Sequence, residues 1–246
     1  MTVINICAGV PSVDPERSYQ AAAGEDRANT GSTGTRSKRS IGAHTKFWAQ
    51  HRTIDVAFLS SNPEFIEFAK EEISDWLPHI NLTIRFVEGT KGDIRISDSS
   101  ELMGHWSYFG TDALTVPEDE PTLHIDTTDR LQPLHVVMLH EFGHALGLHH
   151  EHQHPDANID WNTPKVYAAF ERPWASKEVI YDNIFKKLER TEVRTGEYDK
   201  KSIMHYHFPA ELIWDGTEYP LNKKLSEKDI SFISSIYPRN TTPVAS

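Results

Sequence analysis

The chain of 246 residues holds a single cysteine, Cys7, so no disulfide can form within it and no covalent clamp holds its loops. No segment approaches the ~18 consecutive apolar residues of a membrane-spanning helix, which argues against a membrane partner. The start, Met1-Thr2-Val3-Ile4-Asn5-Ile6, has neither the charged opening nor the long apolar stretch of a secretory signal. Positive charge is in deficit, with 25 Lys and Arg against 36 Asp and Glu, and that balance argues against nucleic acid as a partner. No internal repeat is present. What remains is a chain long enough for one or two domains, with aromatic content (10%) sufficient for a core. One cysteine leaves the compartment open, because a cysteine-poor secreted protein and a cytosolic one look alike on this count.

The most informative stretch is His140-Glu141-Phe142-Gly143-His144-Ala145-Leu146-Gly147-Leu148-His149-His150. Residues four apart share a helix face, so His140 and His144 can offer imidazoles to one metal ion. Glu141, between them, can reach a water at that ion and accept its proton. Gly147 can take the left-handed conformation that ends the helix, and the chain then returns with His150 as third ligand. Three histidines with a fourth position left for water describe a catalytic rather than a structural zinc, with one Zn2+ expected. His149, His152 and His154 lack the spacing and are expected on the solvated surface. His124 and Asp126 invite thought of a second metal site, but no ligand set accompanies them.

Downstream, Ser202-Ile203-Met204-His205-Tyr206 places a methionine after the zinc helix. The extended histidine motif and this methionine resemble the metzincin zinc peptidases. Glu151 directly after the third histidine, Tyr198-Asp199-Lys200-Lys201 and Ser-Ile-Met-His-Tyr resemble the astacin branch of that group. Gly104-His105-Trp106-Ser107-Tyr108-Phe109-Gly110 and the Glu-His-Gln after His150 are more similar to the astacin-related peptidases of bacteria and fungi. The resemblance spans roughly residues 45 to 238 and departs from animal astacins in lacking their disulfides. It implies an α+β metzincin-type fold, with a twisted five-stranded sheet and two long helices above the cleft and an irregular, partly helical lower subdomain. It also implies a zinc endopeptidase acting on protein or peptide substrates and secreted from the cell, and a monomer is favoured. Met204 would floor the zinc site, and Tyr206 would approach the zinc at rest and swing to support the oxyanion. An edge strand at Asp93–Ser97 would pair with extended substrate. Two other classes share the same histidines: a zinc hydrolase of a non-protein amide, and an inactive zinc-stabilised binding module.

Composition marks residues 1–43 as irregular chain and a candidate propeptide. The resemblance implies that residues 44–246 are the catalytic domain, with an upper subdomain at 44–150 and a lower one at 151–246. Strands are expected at Ile54–Leu59, Leu82–Val87, Asp93–Ile96 and Leu123–Asp126. Helices are expected from Ser61-Asn62-Pro63 to Trp76, from about Pro133, from Thr163-Pro164, from Ser176, and after the cap Ser226 with Asp229 three residues on. Cys7 could fill the fourth zinc position and keep the enzyme latent as a zymogen, and Arg36-Ser37-Lys38-Arg39 resembles a processing site that would release the segment. An inert free thiol is the plain alternative.

Overall fold

The period-two stretches fold into one mixed sheet. The computed structural model describes residues 13–30, 44–170, 176–191 and 193–239. Its strands are β1 (Thr53–Phe58), β2 (Thr83–Phe86), β3 (Ile94–Ser97), β4 (Trp106–Ser107) and β5 (Leu123–His124), in the order β2-β1-β3-β5-β4. All neighbours are parallel except β4, which runs antiparallel to β5.

This order corrects one expectation. β3 lies inside the sheet, paired with β1 on one side and β5 on the other, so its main chain has no open edge for a substrate. The antiparallel edge is β4, in the stretch Gly104–Gly110. Periodicity identifies a strand at Asp93–Ile96, close to the observed β3, but alternation carries no information about neighbours.

Helix α1 is Pro15–Glu25, α2 Pro63–Ser74, α3 Leu134–Ala145, α4 Thr163–Phe170, α5 Lys177–Ile180 and α6 Glu227–Ile236. Several start where the sequence places a cap. Asn62 Oδ1 accepts from the backbone of Glu64 and Phe65 ahead of Pro63 in the first turn. Ser226 and Asp229 form a reciprocal capping box on α6. In α3 every residue from Val136 to Ala145 is buried, so this helix is a central strut rather than a surface element.

The expectation of irregular chain in the N-terminal segment fails for residues 15–25. Asp14 caps α1, Pro15 opens it, and a 3-10 turn follows at Arg27–Thr30. The segment is anchored by polar groups rather than an apolar stripe: Ser18 Oγ donates to the buried Asp112 Oδ1 (2.5 Å), and Asn29 Nδ2 donates to the carbonyls of Ala22 (3.1 Å) and Phe47 (2.8 Å). Cys7 and Arg36–Arg39 lie outside the described residues.

Among the described residues, apolar side chains gather in two clusters. The larger packs the sheet (Ile54, Val56, Ile94, Ile96) against α2 and α3 (Ile73, Trp76, Val137, Phe142) and includes Met204. The smaller, built from α4, α5 and residues 206–219, includes Tyr206. Two residues apart in sequence, Met204 and Tyr206 therefore belong to different clusters, and the turn between them joins the two. Among the described residues, no helix is long and apolar enough to cross a membrane.

Candidate metal centre

Helix α3 brings His140 and His144 to one face and then stops. Gly147 has φ 96°, and the Gly147 and Leu148 amides donate to the carbonyls of His144 (2.8 Å) and Gly143 (3.0 Å), a Schellman closure. The freed carbonyls beyond it are used as well: Trp48 Nε1 donates to Ala145 (2.8 Å) and the Tyr237 hydroxyl to Leu146 (2.8 Å). Held at that angle, the chain brings His150 back against the helix.

His140, His144 and His150 are all buried, and one nitrogen from each lies within 4.8 Å of the other two. His140 Nδ1 donates to the Ile203 carbonyl (2.8 Å), and His144 Nδ1 donates to the Leu148 carbonyl (2.7 Å). Those bonds place the proton on Nδ1 and leave Nε2 of both rings as the lone-pair donor, the tautomer a metal requires. His140 Nε2 is buried with no hydrogen-bond partner, and His144 Nε2 and His150 Nε2 are 3.0 Å apart. Tetrahedral zinc at 2.0–2.1 Å from each nitrogen sets neighbouring ligand atoms about 3.3 Å apart, so the trio suits that ion with small adjustment. Burial keeps the imidazoles neutral: His140 is pushed down to about 4, and His144 and His150 well below the usual histidine range, with their mutual repulsion adding to it.

The methionine turn lies directly beneath. A Cβ built on Gly143 would sit 2.5 Å from Met204 Sδ, so the thioether presses on the helix between the two ligands. Glu151 ties this turn from below: its amide donates to the Met204 carbonyl (2.9 Å), and its Oε1 accepts from the Asp199 amide (2.7 Å). Burial pushes the Glu151 acid up to about 8. Asp229 of α6 grips the same turn, accepting from Ser202 Oγ (2.6 Å) and the Ile203 amide (2.8 Å).

Glu141 is buried and lines a hollow of about 30 Å3 together with His105, His140, His205 and Tyr206. A larger cavity of about 530 Å3 is lined by Lys46, His149, His150, Glu151 and Asp199, and neither Glu141 nor Tyr206 borders it. Glu141 and Tyr206 thus share the smaller hollow with the ligand His140. The Tyr206 ring lies 4.4 Å from the ring of His150 and 5.8 Å from that of His140.

His149, His152 and His154 are not among the clustered ligands, but they are not solvated either. His149 is half-buried, its ring 4.4 Å from Phe109, and His152 and His154 are buried. Burial pushes His152 down to about 3 and His149 down to about 4. Two later segments reach the last two of these rings: His152 Nε2 donates to the Asn183 carbonyl (2.9 Å) and His154 Nε2 to that of Gly196 (3.3 Å). No local pattern announces those bonds. His124 and Asp126 are spent elsewhere, His124 Nδ1 on the Ser97 carbonyl and Asp126 on the amides of Gly104 and Thr128.

The model of the peptidase family described as Astacin matches residues 40–213. The chain belongs to the astacin family, whose members are zinc-dependent. It is 35% identical to myroilysin over 79% of this chain and 97% of that one, with a TM-score of 0.73. It is 27% identical over 221 residues to the zinc metalloproteinase nas-2 of Caenorhabditis elegans, covering 82% of this chain and 66%, just under two thirds, of that protein. A hatching-enzyme zinc protease of the medaka fish Oryzias latipes, high choriolytic enzyme 1, shares the fold at 22% identity and a TM-score of 0.52, over 78% of this chain and 94% of that one. As an astacin-family chain it belongs among zinc metallopeptidases, and the family implies protein or peptide substrates.

Proposed function

We propose that this astacin-family chain is an endopeptidase in which His140, His144 and His150 hold a single zinc ion and Glu141 is the general base. The carrying observation is the preset tautomer: two carbonyls fix the Nδ1 protons while His140 Nε2 faces the cluster without a partner. When bound, zinc would acidify a water and polarise the scissile carbonyl. Glu141 takes the proton of the attacking water and returns it to the departing amine. Tyr206 donates its hydroxyl to the carbonyl oxygen as that atom gains charge, the moment at which such a donor counts most. Met204 and Gly147 position the ligands, one as floor and one as the turn that delivers His150. Extended substrate adds to the open edge of β4, with the cleft dividing an upper subdomain at 44–150 from a lower one at 151–246.

Glu141→Gln keeps the size of the side chain and removes its basicity. The variant should bind one zinc per chain and lose at least ~100-fold in peptide hydrolysis. Loss of zinc in the same proportion would make Glu141 a structural residue and end its role as base. Latency through Cys7 is the second element of the proposal. Cys7→Ala in the full chain should raise activity, and X-ray absorption of the zinc-loaded full chain should show one sulfur ligand at ~2.3 Å. A shell of nitrogen and oxygen alone, with unchanged activity, would make the thiol a bystander.

A further inference from the structure

Tyr206 is stacked on a residue that the metal and the general base leave unused. The His152 ring lies 4.4 Å from the Tyr206 ring at 22° between planes, the most nearly parallel of the tyrosine's contacts with the site histidines. His152 is itself fixed. Its Nε2 donates to the carbonyl of Asn183 (2.9 Å), which the π-helical turn Tyr181–Phe185 presents, and Phe208 closes on its edge at 5.4 Å. Its Nδ1 is buried with no hydrogen-bond partner. A phenylalanine would fill the space without burying a bare acceptor, so packing alone does not account for histidine here. The bond to Asn183 does, because it sets the rotation of the ring and hence the plane offered to Tyr206.

We propose that His152 is the positioning residue for Tyr206, holding the tyrosine in its inward place against His140 and His150, from which substrate must displace it. This rests on the role given to Tyr206 above. The inward ring is 8% exposed and occupies the space beside the ligands, so it competes with an incoming peptide. A state in which only a fraction of molecules has the tyrosine displaced binds substrate more weakly by that fraction. Once displaced, the tyrosine no longer leans on His152. The stack therefore acts on substrate binding and leaves turnover of the bound complex alone.

Two variants separate a flat ring from mere volume. His152→Leu fills the space without a face; His152→Phe keeps the face and loses the bond to Asn183. An aromatic stack is worth ~0.5–1.5 kcal/mol, so in the zinc-loaded full chain His152→Leu should lower KM by about 2- to 13-fold with kcat within about 2-fold. His152→Phe should fall between it and the unmodified chain. In a Tyr206→Ala background His152→Leu should not move KM. A readout independent of turnover is 19F NMR of 3-fluorotyrosine at position 206, whose inward signal should weaken in His152→Leu. Equal KM and an unchanged fluorine spectrum in both variants would overturn the proposal. So would parallel loss of zinc and kcat in His152→Leu, which would make the histidine a prop for the metal. Failure of the underlying role looks different: Tyr206→Phe would then keep full kcat, whatever the fluorine signal does.

Discussion

Gly143→Ala tests whether the methionine floor and the ligand helix form one rigid unit. Glycine inside a helix costs up to ~1 kcal/mol relative to alanine, so on propensity alone the change should stabilise α3. The packing says the reverse. The new Cβ would meet Met204 Sδ at 2.5 Å and Met204 Cε and Trp76 Cζ2 at 3.3 Å each. Ordinary carbon contacts lie at about 3.5–4.0 Å, so the sulfur must retreat by about 1–1.5 Å. Met204 is 2% exposed and sits within the main core, so its flexible chain has little room to move into. Overpacking of this kind costs ~1–3 kcal/mol, which set against the helix gain leaves about 0–2 kcal/mol of destabilisation. The larger effect is on the metal. Ile203, next to Met204, supplies the carbonyl that orients His140, and Glu151 binds the Met204 carbonyl from below. Disturbing the groups that orient a ligand typically costs 10–100-fold in metal affinity. Competition with a chromogenic chelator should show zinc affinity lower by at least ~10-fold, with the melting temperature of the metal-free chain unchanged or a few degrees lower. Met204→Val on top of Gly143→Ala, by withdrawing the sulfur, should recover part of the affinity. Zinc affinity within about 2-fold of the unmodified chain, together with a raised melting temperature, would refute the reasoning.

Exchange of His150 for Ala should abolish stoichiometric zinc binding while exchange of His149 leaves one zinc per chain, since only His150 joins the ligand cluster; comparable metal contents in the two would break the assignment. Asp229→Ala should destabilise the chain in urea by about 2–4 kcal/mol, because the donors of Ser202, Ile203 and Ser226 lose a charged acceptor inside the protein. A loss under ~0.5 kcal/mol would show that water replaces the carboxylate there.

The site was legible because its geometry is local. Four-residue spacing, a glycine at the helix end and a fixed return to His150 are helix mechanics, and they need no knowledge of the rest of the chain. Caps were legible for the same reason: Asn62-Pro63 and Ser226 with Asp229 act within one turn. What escaped was set by distant segments. β4 is two residues long, too short for alternation to register, and only the sheet order shows that it is an edge strand and β3 is not. His152 and His154 sit in a polar run that reads as surface, until Asn183 and Gly196 reach them with their carbonyls. Helix α1 lacks a strong apolar face, and its docking depends on Ser18 finding Asp112, 94 residues away.

Having one cysteine, this chain must fix its loops without disulfides, and it does so with buried polar centres. Asp112 takes Lys46 Nζ and Ser18 Oγ at 2.5 Å each, joining α1 and the strand entry to the 3-10 turn Gly110–Thr115. Arg95 of β3 donates to the carbonyls of Gly92, Val116, Pro117 and Glu120, holding the loop between β4 and β5 to the sheet. At the edge strand, His105 Nδ1 accepts from the Asp126 amide (3.1 Å), and its Nε2 lies 3.2 Å from Asp129, which pins β4 to the segment leading into α3. A hydrogen bond to a charged group contributes ~1.5–3 kcal/mol, and a disulfide typically ~2–4 kcal/mol, so two such bonds at one centre match a cross-link in size. The consequence differs in kind. A disulfide acts largely on the unfolded chain and survives the loss of any neighbour, whereas a polar centre fails as a unit, because removing one partner leaves the others buried and unpaired. Edge strand and ligand helix therefore depend on each other: a change at His105 or Asp129 that frees β4 also loosens the segment from which α3 begins, and with it the alignment of His140 and Glu141.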